Sequence, residues 1–183
     1  MTWGRVVRRL RLPLGFLLGG LYLAFAHPTA GSLLLGAVVA LVGVIIRGWA
    51  SGHIVKNDRL AMTGPYAHTR NPLYLGSFLI AAGFAIAAHW SLLLLVVAFF
   101  ALVYGPTIQQ ERDFVRSRFP DDYAVYEQNV PVFFPRSSPW RDGSMESSTP
   151  FSYALYLRHS EWQVALVYIL ALLWLSFRMR PSP

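Results

Sequence analysis

The chain has 183 residues, enough for one domain, with 55% hydrophobic against 14% charged residues and a mean hydropathy of +0.42. That balance excludes an ordinary water-soluble surface. The formal charge of +7 lies beside apolar segments, where anionic lipid headgroups and membrane orientation account for it and no nucleic acid is called for. The absence of cysteine excludes disulfides, thiolate nucleophiles and cysteine metal sites.

Arg5, Arg8, Arg9 and Arg11 precede an uncharged run from Leu12 to Ile46. A signal peptide can begin this way, but no small-residue cleavage site closes the run and later segments are equally apolar, so it reads as a first span. The run far exceeds the roughly 20 residues that cross a bilayer, and His27-Pro28-Thr29-Ala30-Gly31-Ser32 breaks it. Two antiparallel helices are predicted, near 12–27 and 31–49. A polar loop with Arg47, Lys56, Arg59 and Arg70 follows, then a second uncharged run from Asn71 to Gln110. His89-Trp90-Ser91 divides that run into helices near 72–88 and 91–106, with Tyr104-Gly105-Pro106 kinking or ending the second. The basic residues thus fall at the N-terminus, in the 47–70 loop and, as Arg112, Arg116, Arg118, Arg136 and Arg141, in 111–142, while the two tight turns carry none. Four spans with all three basic segments in the cytoplasm satisfy the positive-inside rule.

From Glu111 to Tyr126 the apolar residues Phe114, Val115, Phe119, Tyr123 and Tyr126 recur at helical spacing among charges, predicting a cytoplasmic amphipathic helix interrupted at Pro120. Val130 to Pro135 reads as an extended apolar strip packed on the bundle, and 137–150 as a linker. Trp162 to Phe177 is a fifth span or a helix lying in the interface. The fold class is therefore an all-α integral membrane protein of two antiparallel transmembrane hairpins, an amphipathic segment and this C-terminal helix. The domains are 1–136, the linker 137–150, and 151–183.

The stretch Gly64-Pro65-Tyr66-Ala67-His68-Thr69-Arg70-Asn71-Pro72-Leu73-Tyr74-Leu75-Gly76 organises the polar side. Gly64-Pro65 is a turn, and Asn71-Pro72 a helix start with Asn at the N-cap and Pro at the first helical position. Such a start points free N–H groups and the positive end of a helix dipole at the loop. One hairpin returns Glu111 to the same face. The pair suits a zwitterion, with N–H donors for its carboxylate and Glu111 for its ammonium; alternatively, Glu111 simply pairs with Arg70 or Arg59. His53 and His68 are either general-base candidates or plain loop histidines. No histidine has metal-ligand spacing with a carboxylate, so no metal site is expected. Gly15, Gly19, Gly20, Gly36 and Gly43 read as close-packing positions, and Tyr22, Trp49, Trp90 and Trp162 as interfacial aromatics.

These residues resemble the isoprenylcysteine carboxyl methyltransferase family, in a bacterial-type version. Gly64-Pro65-Tyr66 followed by Arg70-Asn71-Pro72, Tyr74 and Gly76 is similar to its loop motif. Glu111, Phe119, Tyr123, Tyr126, Val130-Pro131 and Pro135 are similar to its second motif, so the resemblance covers about 47–136. It implies a multi-pass enzyme with an active site facing the cytoplasm, in a bacterial cytoplasmic membrane. The implied reaction is methyl transfer from S-adenosylmethionine to a small lipophilic acceptor (a carboxylate, amine or hydroxyl) entering from the bilayer. Arg70 and Glu111 are the implied catalytic residues. Asp58, Arg59, Leu60 and Ala61 would line the adenosine side, Tyr66, Asn71, Pro72, Leu73 and Tyr74 the methionine part, and Glu111 the ammonium. No obligate protein partner is implied beyond membrane lipids. Asn71, Arg112 and Pro120 depart from the pattern, and Thr107 replaces an arginine near the acceptor carboxylate of eukaryotic prenylcysteine enzymes, which argues against that acceptor. Two other readings keep the fold: an NADPH-dependent reductase akin to sterol reductases, and a non-catalytic membrane scaffold.

Overall fold

The computed structural model describes residues 3–55, 59–141 and 150–179, with side chains from residue 13 onward. The described residues are all helix, turn and extended connection, with no strand among them. The helices are α1 (Trp3–Phe25), α2 (Ala30–Ser51), α3 (Pro72–Ala88), α4 (Leu92–Phe99), α5 (Gly105–Arg118), α6 (Pro120–Asn129), α7 (Tyr153–Arg158) and α8 (Trp162–Arg178). A 3-10 turn spans Gly64–Ala67 and a π-helical segment, Phe100–Tyr104, joins α4 to α5.

The centre is the antiparallel pair α2 and α3. A Cβ on Gly36 would lie 2.3 Å from the Gly83 carbonyl oxygen, one on Gly43 2.5 Å from that of Gly76, and one on Gly83 2.5 Å from the Ala40 nitrogen. The glycines therefore let the two backbones touch, which suits helices that lack a hydrophobic driving force toward each other in lipid. Gly15, Gly19 and Gly20, read as close-packing positions, have nothing within 4 Å of a built Cβ. Small size permits approach, but no neighbour in the described chain takes it up.

α2 and the continuous helix Leu92–Arg118 are long and apolar enough to cross a membrane. Their apolar windows are only 17% and 22% buried. A soluble core helix would be covered, so these outward apolar surfaces belong in lipid. The molecule is a membrane protein by this criterion.

Of the two expectations at Tyr104-Gly105-Pro106, a kink or an end, the end is corrected: the helix passes through a π-helical segment and runs on to Arg118. Pro106 lacks the N–H that an α-turn needs, and the wider π turn just before it carries the chain past that gap. α1 also starts earlier than predicted, at Trp3. The amphipathic segment divides as predicted, with α5 ending at Arg118 and α6 starting at Pro120. Of the linker, residues 142–149 lie outside those described.

α8 runs beside α2 and ends against α1. Its start meets Arg47 through Glu161, its middle meets α2 as Tyr168 donates to the Ala37 carbonyl at 3.0 Å, and its end reaches α1, where Arg178 donates to Leu23 at 3.3 Å. At that far end the two tight turns are knitted by His27 N–H to Ala88 O and Ser32 Oγ to Ala87 O, both 3.1 Å. Tyr22, read as an interfacial aromatic, instead packs inside against Phe84 and Trp174. Trp49, Trp90 and Trp162 are exposed.

Candidate functional site

At the opposite end, the loop before α3 is fixed by the extended strip after α6. Arg70 N–H donates to Pro131 O at 2.9 Å, Arg136 N–H to His68 O at 3.0 Å and Trp140 N–H to Ala67 O at 2.9 Å. The buried Thr69 hydroxyl donates to Phe133 O at 2.9 Å. Tyr126 donates to Tyr66 O at 2.7 Å, and Met62, Tyr123, Tyr126 and Val130 form a small apolar cluster beneath. Gly64 has φ +59°, and a Cβ there would strike the His53 ring at 2.6 Å, so both backbone and space demand glycine.

Asn71 occupies the N-cap position of α3 and Pro72 the first helical one, as the sequence predicts. The capping itself is a correction: the Asn71 side chain makes no cap hydrogen bond and donates to Val132 O at 2.9 Å instead. The first helical bond of α3 is Leu75 N–H to Asn71 O at 2.9 Å. The Leu73 N–H, ahead of Tyr74 in that first turn, therefore has no acceptor within the helix.

Those two residues open onto a cavity of about 380 Å³, a size suited to a small-molecule ligand. It is lined by Arg59, Leu60, Ala61, Tyr66, Arg70, Asn71, Pro72, Leu73, Tyr74 and Glu111, so every predicted site residue among those described is brought together. Asp58 lies outside the described residues. Tyr74 donates its hydroxyl to Glu111 at 2.7 Å, with its ring edge-on to Tyr104. Arg70, the sequence's alternative partner for Glu111, donates to Tyr123 at 3.2 Å and pairs with Glu127 at 3.5 Å.

Two buried polar atoms at this site lack any partner: the Tyr66 hydroxyl and Arg70 Nε. Buried donors are normally satisfied, so a ligand group is the natural occupant. Burial, reinforced by the charge on Glu111, pushes the Tyr66 hydroxyl far above the ordinary phenol range, and burial does the same to Tyr126. Both remain neutral donors at any physiological pH.

His53 and His68 are outside the cavity lining. His53 is buried between Trp49 and Phe151 with Nδ1 3.2 Å from Thr63 Oγ1, and burial pushes its pKa below the ordinary imidazole value. His68 Nδ1 donates to Arg136 O at 2.9 Å. Both are loop-fixing groups, which removes them as bases. Sequence reasoning missed the apolar wall of Ile54, Val55 and Ile108. Ile108 was findable, because Ile108, Glu111, Val115 and Arg118 fall on one helical face once α5 is continuous.

The phospholipid methyltransferase family profile matches residues 32–122. Over that stretch the chain is a member of the phospholipid methyltransferase family. It is 34% identical over 136 residues to the cobalt-zinc-cadmium resistance protein CzcN of Cupriavidus metallidurans, covering 73% of this chain and 61% of that one. It is 33% identical to the nickel-cobalt-cadmium resistance protein NccN of Alcaligenes xylosoxydans xylosoxydans, covering 74% and 63%. To the protein-S-isoprenylcysteine O-methyltransferase of Schizosaccharomyces pombe it is 28% identical, covering 73% and 59%. The matches thus span about three-fifths of these curated relatives. No solved structure matches. The family profile and the yeast relative agree with the resemblance read from the motifs.

Proposed function

We propose that the protein is a membrane methyltransferase that draws on S-adenosylmethionine and acts on a lipophilic acceptor admitted from the bilayer. The observation that carries this reading is the Tyr74–Glu111 pair at 2.7 Å, set in one cavity with the Leu73 N–H at the start of α3. A carboxylate and an N–H donor so placed match the two charges of an amino-acid moiety. The residues fit the cofactor: the Leu73 N–H would take its carboxylate, Glu111 its ammonium, and the orphaned Tyr66 hydroxyl and Arg70 Nε the remaining acceptors. Arg59, Leu60 and Ala61 line the adenosine side, with Asp58 assigned there on the resemblance alone. Pro72 presets the helix start, and Asn71 serves by anchoring it to Val132.

S-adenosylmethionine supplies, when bound, a methyl group already attached to an electrophilic sulfonium. The chain's own residues then need to align the acceptor and exclude water, and Ile54, Val55, Ile108, Phe114, Val115 and Phe119 form an apolar wall for both tasks. With Glu111 holding the ammonium, the described lining offers no histidine and no second carboxylate as base; burial holds Tyr66 and Tyr126 neutral and arginine does not titrate. An acceptor that is nucleophilic without losing a proton, a carboxylate before an amine or hydroxyl, therefore fits best. Thr107 is buried and donates to Val103 O of its own helix, so a cation for that carboxylate comes from Arg59, Arg112 or Arg118 on the lining.

The same reading makes α8 a fifth span, puts the cavity at the cytoplasmic face by the positive-inside rule and places the protein in a bacterial cytoplasmic membrane. Nothing favours the reduced-nicotinamide alternative. The test is transfer of an isotopic methyl group from S-adenosylmethionine to a lipid extract by the purified protein. A labelled lipophilic product lost in Glu111→Gln supports the proposal; no transfer to any lipid, acid or amine fraction contradicts it.

A further inference from the structure

We propose that Glu161 and Arg47 are positioning residues for the cavity, so that the C-terminal helix, outside the family match, is a working part of the site. The proposal rests on the methyl-transfer reading above. Arg47 lies near the end of α2 with all three guanidinium nitrogens engaged. Nε and Nη2 donate to the two carboxylate oxygens of Glu161 at 3.0 and 2.6 Å, while Nη1 donates to Ser77 Oγ at 2.5 Å and to Leu73 O at 3.4 Å. Ser77 Oγ in turn donates to Leu73 O at 2.9 Å. Leu73 lines the cavity and precedes Tyr74, the partner of Glu111. One guanidinium thus joins the start of α8 to the first turn of α3.

Gly76 is shaped for this reach, since a Cβ there would lie 2.6 Å from Arg47 Cγ. The stem of Arg47 passes directly over Gly76, and any side chain would divert it. The ion pair is sheltered, with the Glu161 side chain 9% exposed and that of Arg47 22%. Removing the carboxylate would leave a sheltered cation unpaired, and it would turn toward water and away from Leu73.

Attachment of the C-terminal segment has other means. His159 Nδ1 donates to Ser51 O at 3.1 Å, Ser152 N–H to Gly52 O at 2.9 Å and Tyr168 to Ala37 O at 3.0 Å. Ser160, at φ 56°, turns the chain between α7 and α8 so that His159 and Glu161 address different parts of α2. Attachment and positioning are therefore separable.

The test compares S-adenosylmethionine affinity and thermal midpoint for wild type, Glu161→Gln, Glu161→Asp and His159→Ala. Glu161→Gln should bind roughly tenfold more weakly, with Glu161→Asp recovering part of the loss. His159→Ala should lower the midpoint with affinity unchanged. Equal binding by folded Glu161→Gln overturns the proposal, as does a His159→Ala affinity loss as large as that of Glu161→Gln, which would make α8 a structural support only. If Glu161→Gln does not fold, Glu161→Asp gives the same decision. No binding by wild type removes the methyl-transfer reading and this proposal with it, whereas wild-type binding with an indifferent Glu161→Gln removes this proposal alone.

Discussion

Glu111 stands at the end of a long apolar helix, and its nearest hydrogen-bond partner is a tyrosine hydroxyl rather than one of the surrounding arginines. Among the described residues that carboxylate forms no ion pair, which leaves it to face a ligand. Glu111→Gln keeps the shape and removes the charge, so S-adenosylmethionine affinity should fall by about 10- to 100-fold, the range of a charge-assisted hydrogen bond. Tyr74→Phe, which frees Glu111 to rotate, should cost roughly threefold to tenfold in the same titration; an unchanged affinity would separate Tyr74 from the site. His53 gives a pH signature. Burial lowers its folded pKa, so below the ordinary value of about 6.5 the unfolded chain takes up a proton that the folded chain refuses. Stability should therefore be lost as pH falls from about 6.5 toward the lowered value, and be insensitive to this group above it. Thermal midpoints at about pH 7.5 and pH 5.5 should converge in His53→Gln relative to wild type; an identical acid loss in both would exclude His53 as the cause.

Among the elements, the helix starts and stops at Pro72, Pro120 and Trp162 were legible because proline and charge mark them locally. The continuity of the fourth helix through Pro106 into the amphipathic segment was not, since a π turn is a cooperative adjustment of several residues that no single residue announces. The cavity-facing residues of the loop were legible through their motif. Arg47 was not, because its partner lies far along the chain at Glu161 and the sequence offers it only as one more basic residue. The glycines divide the same way: periodicity alone cannot say which smooth face has a neighbour. Gly83→Val, whose side chain would enter the α2 backbone, should destabilise by about 3 kcal/mol or more. Gly19→Ala, with open space around it, should stay within about 0.5 kcal/mol. Urea or thermal unfolding in one detergent decides both, and a tolerated Gly83→Val would contradict the close crossing.

For the molecule as a whole, orientation follows from where the basic residues lie relative to the two uncharged turns. The chain has no cysteine, so single introduced thiols report without background. Ser91→Cys and Met179→Cys should react with an impermeant maleimide from one side of sealed vesicles and Ser137→Cys only from the other. Met179→Cys reacting on the Ser137 side would mean that α8 does not cross. The measurement closest to the central claim is calorimetric titration of the detergent-purified protein with S-adenosylmethionine, its demethylated product and NADPH. We expect saturable binding of the first two, weakened in Glu111→Gln, and none of NADPH. A folded protein that binds neither S-adenosylmethionine nor its product would contradict the methyltransferase reading, and NADPH binding in their place would turn it into a reductase.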